Sequence, residues 1–400
     1  MTSPVSRNAQ RIAPSVTLAI SAKAKEMKAQ GIDVISLSAG EPDFDTPGFI
    51  KEAAIEAIQK GFTKYTPTVG IPKLREAICA KFERDNGLRY DPSQIIVGCG
   101  AKHTLFTCIL ALVGDGDEVI IPTPYWVTYP EQPKIAGGNP VIVETTQAEG
   151  YKLTPEALKA AVTPRTKAVI LNSPSNPSGV VYSKEELGAL ADVVLETGIF
   201  VISDEIYEKI IYEDAQHHSI ASLRDGMLDR TIVVNGVSKT YAMTGWRIGY
   251  AAGPKEIISA MGKIQSQETS NPTSISQMAA LAALNGPQDC LKEMLVAFDQ
   301  RRKYIVQRLN AIDGVSCPSP KGAFYVFPDT SSLYGSAYNG RRISGSVDLC
   351  NYLLEEVNVA CVPGAGFGSD AHIRLSYATS MENIEKAMDR IEKGIGAFRK

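Results

Sequence analysis

The chain has 400 residues, 44% of them hydrophobic and 21% charged, with a formal net charge of −3. That length exceeds a single ordinary core, so two lobes are expected, and the acidic balance argues against a nucleic-acid partner. No apolar run reaches membrane-spanning length. Seven cysteines without CxxC spacing and four histidines outside any zinc pattern point to a reduced cytoplasm and no structural metal.

In chain order, the stretch before Val16 lacks the apolar run of a secretory signal. An amphipathic segment over 16–30 follows, closed by Gly31. Short β-branched runs bounded by turn residues then predict strands at 33–38, 94–97, 118–122, 140–144, 167–172, 199–204, 231–235 and 248–251. Several are almost wholly apolar, as strands covered on both faces should be. Between them lie helical patterns. In 72–87, Leu74, Ile78 and Phe82 share a face, with Pro72 suited to the first turn and Gly87 to the exit. Alternating strands and helices imply an α/β sheet with crossover connections. Beyond about residue 285 come a long charged amphipathic stretch (291–309), a few short strands and a final helix near 381–398. The expected division is 1–48 as an N-terminal arm and part of a small lobe, 49–285 as a large lobe, and 286–400 as the rest of the small one.

The run from Val233 to Tyr250 places Lys239 just past an apolar strand and Arg247 eight residues on, in a glycine-flanked turn. A lysine amine condenses with an aldehyde, and a guanidinium grips phosphate through paired donors. Pyridoxal 5'-phosphate carries both groups. Asp204 ends a buried strand, where open α/β sheets gather ligand groups, and a carboxylate there suits a pyridinium N–H; alone, it also reads as a helix N-cap. Tyr207 is within reach of a phenolic ring oxygen or belongs to the core. The proline-stiffened turn from Asn172 to Gly179 offers the Asn176 amide, although turn chemistry by itself explains the composition. Gly98 to Thr104 joins a strand to a helix start, whose free N–H groups face phosphate, with Lys102 at the mouth. Trp126 either stacks on a ring or fills core. Arg374, in a strand-like run, suits a substrate α-carboxylate or a surface ion pair.

The motifs Ser-Ala-Gly-Glu-Pro-Asp-Phe at 38–44, Asn-Pro-Ser-Gly at 176–179, Ser-Asp-Glu-Ile-Tyr at 203–207 and Ser-Lys-Thr-Tyr-Ala-Met-Thr-Gly-Trp-Arg at 238–247, in this order, resemble the class I aminotransferases of PLP fold type I. The resemblance is greatest to the bacterial and plastid aspartate aminotransferase subgroup that includes prephenate aminotransferases. It implies a large lobe with a central, mostly parallel sheet between helices, plus a smaller discontinuous α+β lobe. By resemblance, Lys239 is the Schiff-base lysine, Asp204 pairs with the ring nitrogen, Tyr207 and Asn176 bind the ring oxygen, and Trp126 stacks on the ring. Ala101, Lys102, Ser238 and Arg247 surround the phosphate. Gly40, Arg374 and Asn176 hold the substrate α-carboxylate, and Tyr65 reaches the phosphate of a neighbouring subunit, which implies a homodimer with shared active sites.

Two departures bear on that pattern. The stretch 265–272 lacks the arginine with which animal-type relatives bind the distal carboxylate, and in the subgroup resembled here the lysine matching Lys102 takes that role, beside the threonine matching Thr17. Gly236 stands where some relatives carry a phosphate-binding serine. The implied reaction is ping-pong transfer of an amino group from aspartate or glutamate to a 2-oxo acid. The alternatives are an aromatic or prephenate aminotransferase, a lyase of the same fold, or a non-enzymatic PLP-sensing protein.

Overall fold

The apolar runs assemble, in the computed structural model, into one seven-stranded sheet that underlies the site; residues 4–338 and 341–398 are described. Its strands are β2 (Ile95–Gly98), β3 (Glu118–Pro122), β4 (Asn139–Val143), β5 (Thr166–Asn172), β6 (Phe200–Asp204), β7 (Thr231–Gly236) and β8 (Gly249–Ala252), in the order β2-β8-β7-β6-β5-β3-β4. From β7 through β4 every pairing is parallel, whereas β8 runs against both its neighbours. Strands β2, β7 and β8 are buried along their whole length because helices cover both faces. Strand β4 lies at the edge and is partly exposed, which its mixed sequence permits.

The predicted strand at 33–38 shrinks to β1 (Ile35–Ser36) and lies outside this sheet, paired in parallel with β12 (Val359–Ala360). Its apolar residues Ile35 and Leu37 face the C-terminal core instead. That region also holds β9 (Tyr325–Val326), the hairpin β10 (Ala337–Tyr338) and β11 (Arg341–Arg342), β13 (Val362–Pro363) and β14 (Ile373–Ser376). Strand β14 lies between β13 and β9, antiparallel to both.

The helices follow their apolar spacing. The helix Pro72–Asn86 has proline in its first turn, and Gly87 ends it at φ 66°, in the left-handed region glycine adopts without strain. Helix Met381–Gly396 buries Ile384, Met388, Ile391 and Ile395 along one stripe. Together with Phe298, Ile305 and Leu309 of helix Asp289–Asn310, that stripe belongs to a single apolar cluster. Helix Val16–Ala29 buries Ile20 and Ala24 against Leu354 and Ala360, so the start of the chain packs on its end. No helix among the described residues is long and apolar enough to cross a membrane.

Candidate active site

The parallel strands end together, and their carboxyl ends supply the floor of a cavity of about 290 Å³. Asp204 closes β6 in register with Asn172 at the end of β5. The Asn172 amide donates to the Asp204 main-chain oxygen at 2.9 Å, while its own side-chain oxygen accepts from the Asn176 N–H at 2.8 Å. One asparagine thus ties the turn carrying Asn176 to the strand carrying Asp204. The Asp204 carboxylate accepts from the Tyr129 hydroxyl at 2.7 Å and the Ile206 N–H at 3.2 Å. Burial pushes its pKa up to about 6, against the pull of those two bonds. Tyr207 is buried, with its hydroxyl 2.8 Å from that of Tyr325.

At one side, the helix Ala101–Leu112 starts without a side-chain cap, leaving first-turn N–H groups available to an anion. Gly100 precedes it at φ 92°, and a Cβ there would lie 2.3 Å from the Arg247 guanidinium. A side chain there would displace the arginine, and the left-handed backbone itself favours glycine. Arg247 follows the short turn Thr244–Trp246 and donates to the main-chain oxygens of Thr244 at 2.7 Å and Cys99 at 3.5 Å. Neither it nor Lys102 has a carboxylate partner among the described residues. Uncapped N–H groups, an unpaired guanidinium and the neighbouring Ser238 fit a phosphate. Gly236 does not line the cavity. A Cβ there would lie 3.0 Å from the Ile248 carbonyl oxygen, so the β7–β8 pairing leaves little room for a serine.

Lys239 enters the cavity just beyond β7 and donates to the Gly40 carbonyl at 2.5 Å. Burial lowers its pKa to about 8, with Arg247 and Arg374 adding to the effect and Glu41 and Asp204 opposing it. Arg374, from β14, is only 2% exposed. Its guanidinium donates to the Asn176 side-chain oxygen at 3.0 Å and the Ser38 carbonyl at 2.7 Å, and sits over the rings of Tyr325 and Phe367. Its Nε is buried without a partner, and no carboxylate pairs with it among the described residues. A buried cation in that condition fits an incoming carboxylate. Lys102 Nζ lies 4.7 Å from the centre of the Trp126 ring, and surrounding protein together with Arg247 lowers its pKa. Thr17, bonded to Ser15 at 2.9 Å, completes the rim.

Every candidate from the sequence lines this cavity except Tyr65, which is 90% exposed and lies off it. Sequence reasoning missed Tyr129 and Tyr325. Tyr129 stands three residues past Trp126 in a turn, and Tyr325 sits in an apolar strand, where a tyrosine gives no outward sign of function. Behind β6, Glu205, Glu208 and His217 bring potential ligand atoms within 4.8 Å of one another. Lys81 pairs with Glu208, and Ser203, Ser219 and His217 surround Glu205, so both carboxylates have partners within the protein, while the other ring nitrogen of His217, Nδ1, is buried without one.

Comparison with known proteins agrees with this geometry. The family described as aminotransferase class I and II matches residues 32–391. An aspartate aminotransferase of Bacillus sp. (strain YM-2) is 55% identical over 382 residues, covering 96% of each chain. An aspartate/prephenate aminotransferase of Cereibacter sphaeroides is 52% identical over 384 residues, again with 96% of each covered. Among solved structures, the aspartate aminotransferase from Rhizobium meliloti superposes with a TM-score of 0.96 at 48% identity, covering 100% of both chains. The aspartate aminotransferase from Thermus thermophilus with maleate gives 0.93 at 45%, covering 98% of this chain and 100% of that one. Fold, site and relatives converge, and the chain belongs to the class I and II aminotransferases, enzymes of PLP fold type I that work with pyridoxal 5'-phosphate.

Proposed function

We propose that this enzyme moves the amino group of aspartate or glutamate to 2-oxoglutarate or oxaloacetate. The observation that carries the reading is a pair of cations, Arg374 and Lys102, that line the same cavity as Lys239 and lack carboxylate partners among the described residues. An amino acid with two carboxylates satisfies both. The names of the relatives in Bacillus and Rhizobium support the same substrate class.

When bound, the cofactor supplies an aldehyde carbon for amines and a conjugated ring that draws electrons from the substrate Cα. The chain does the rest. Arg374 and Asn176, with Gly40 beside them, hold the α-carboxylate and fix the direction of the Cα–H bond. Lys239 would take up and give back the proton at the substrate Cα, and burial that lowers its pKa to about 8 keeps a useful neutral fraction of its amine. Asp204 keeps the ring nitrogen protonated, Tyr207 and Asn176 bind the ring oxygen, and Trp126 covers the ring face. Ala101, Lys102, Ser238 and Arg247 hold the phosphate, joined by Tyr65 from a second copy of the chain in a homodimer. Thr17 and Lys102 receive the distal carboxylate.

The packing of Ile20, Ala24 and Val34 with Leu354 and Ala360 supports a small lobe made of 1–48 and 286–400, set against a large lobe of 49–285. An odd set of seven cysteines without CxxC spacing supports a cytoplasmic setting.

A second acceptor, prephenate, has its own support. A neighbouring cavity of about 660 Å³ shares Lys102 and Arg247 and is lined by Phe106, Tyr125 and Val127, which is room for a ring-bearing acid. Initial rates for a panel of amino donors with 2-oxoglutarate and oxaloacetate, and with prephenate as an added acceptor, test both readings. Turnover confined to aliphatic or aromatic donors would refute the acidic-substrate assignment.

A further inference from the structure

Tyr129 is buried at the end of the turn that follows β3, and its N–H donates to the Trp126 carbonyl at 2.9 Å. Its ring meets Trp126 edge-on, with centroids 5.5 Å apart and planes at 84°. Its hydroxyl donates to Asp204 at 2.7 Å. One side chain therefore braces both the indole and the carboxylate of the site. We propose that Tyr129 is a positioning residue that holds Asp204 ionised and correctly turned toward the nitrogen of the bound cofactor. The proposal rests on the role given to Asp204 above.

The neighbours of Asp204 leave this task to Tyr129. Glu205, next in the chain, is engaged by Ser203 at 2.8 Å, Ser219 at 2.7 Å and His217 at 3.0 Å, and its charge opposes ionisation of Asp204. The hydroxyl of Tyr207 pairs with that of Tyr325 at 2.8 Å rather than with Asp204. Lys239 favours the ionised form by charge, but its amine is hydrogen-bonded to Gly40. Among the described residues, Tyr129 is the one side chain hydrogen-bonded to the Asp204 carboxylate. A buried carboxylate beside another buried carboxylate stays charged only with donors of this kind, and the Ile206 N–H at 3.2 Å is the other one on Asp204.

The test compares wild type, Tyr129→Phe, Asp204→Asn and the double variant. Phenylalanine keeps the ring that packs on Trp126, so only the hydroxyl is lost. Pyridoxal phosphate is titrated into the cofactor-free chains, and the pH profile of kcat/KM for aspartate is recorded on the loaded ones. Tyr129→Phe should weaken cofactor binding about tenfold, since a hydrogen bond to a charged group is being removed. It should also move the acid limb of the profile upward, because the lost bond is one that lowers the pKa of Asp204. In the Asp204→Asn background it should change neither. Cofactor affinity within twofold and an unmoved acid limb in Tyr129→Phe overturn the proposal, as do losses of equal size in both backgrounds. If Asp204→Asn itself binds cofactor like wild type, the role of Asp204 falls and takes this proposal with it. Loss confined to Asp204→Asn overturns the Tyr129 proposal alone.

Discussion

Arg374→Met separates what the buried guanidinium does for the fold from what it does for the substrate. The wild-type side chain is a desolvated cation that donates to two neutral oxygens, on Asn176 and Ser38, and lies over the Tyr325 and Phe367 rings, with no carboxylate partner among the described residues. Methionine fills similar space and removes a charge that is expensive to bury, a gain of several kcal/mol. It also leaves those two oxygens without a donor, a loss of about 1–3 kcal/mol each. The terms oppose, so net stability should change by no more than about 2 kcal/mol, which for a chain of this size shifts Tm by a few degrees. Substrate binding has no such compensation. Truncating one side of a buried charge pair costs about 2–5 kcal/mol, which at about 1.4 kcal/mol per factor of ten lowers kcat/KM for aspartate by about 30- to 4,000-fold. The assays are initial rates and thermal melts, with and without a dicarboxylate such as maleate. The dicarboxylate should raise the Tm of wild type and leave the variant unmoved. A variant with kcat/KM within fivefold of wild type, or one that fails to fold, refutes the reasoning.

Gly100→Ala forces a methyl into the space of the Arg247 guanidinium and strains a backbone at φ 92°, so cofactor affinity should fall about tenfold or more, measured by titrating the cofactor-free chain. Lys102→Met should raise KM for aspartate about tenfold beyond any loss it causes with alanine, which has no distal carboxylate; equal losses for both donors would leave Lys102 with the phosphate alone. The pKa of Lys239 is lowered from 10.5 to about 8, so between those values the unfolded chain holds a proton that the folded one has released. Stability of the cofactor-free enzyme should therefore rise with pH across that window, and the Tm advantage of Lys239→Met over wild type should narrow as it does. Tyr65→Ala should weaken cofactor binding although Tyr65 lies off the cavity of its own chain, and sedimentation should show a dimer.

The sequence by itself determined the strands of the central sheet, because buried parallel strands must be apolar along their length and are bounded by turn formers. It also determined the ends of helices such as Pro72–Asn86, where proline and glycine act through local backbone geometry. That Lys239, Asp204, Asn176 and Arg247 share one cavity was legible because each lies at or beyond the end of an apolar run and belongs to a motif whose chemistry is specific. Only the tertiary structure decided that Arg374, remote in the chain, reaches Asn176 and Ser38, and that no carboxylate among the described residues pairs with it. The strand at 33–38 shows the same limit: its apolar pattern announces burial but not against what, and the C-terminal core claimed it. Tyr129 and Tyr325 stayed hidden for the related reason that a buried tyrosine looks like core until its hydroxyl is seen to have a partner. Local sequence fixes backbone conformation and burial; the pairing of charges across the cavity depends on contacts between residues far apart in the chain, which no short-range pattern encodes.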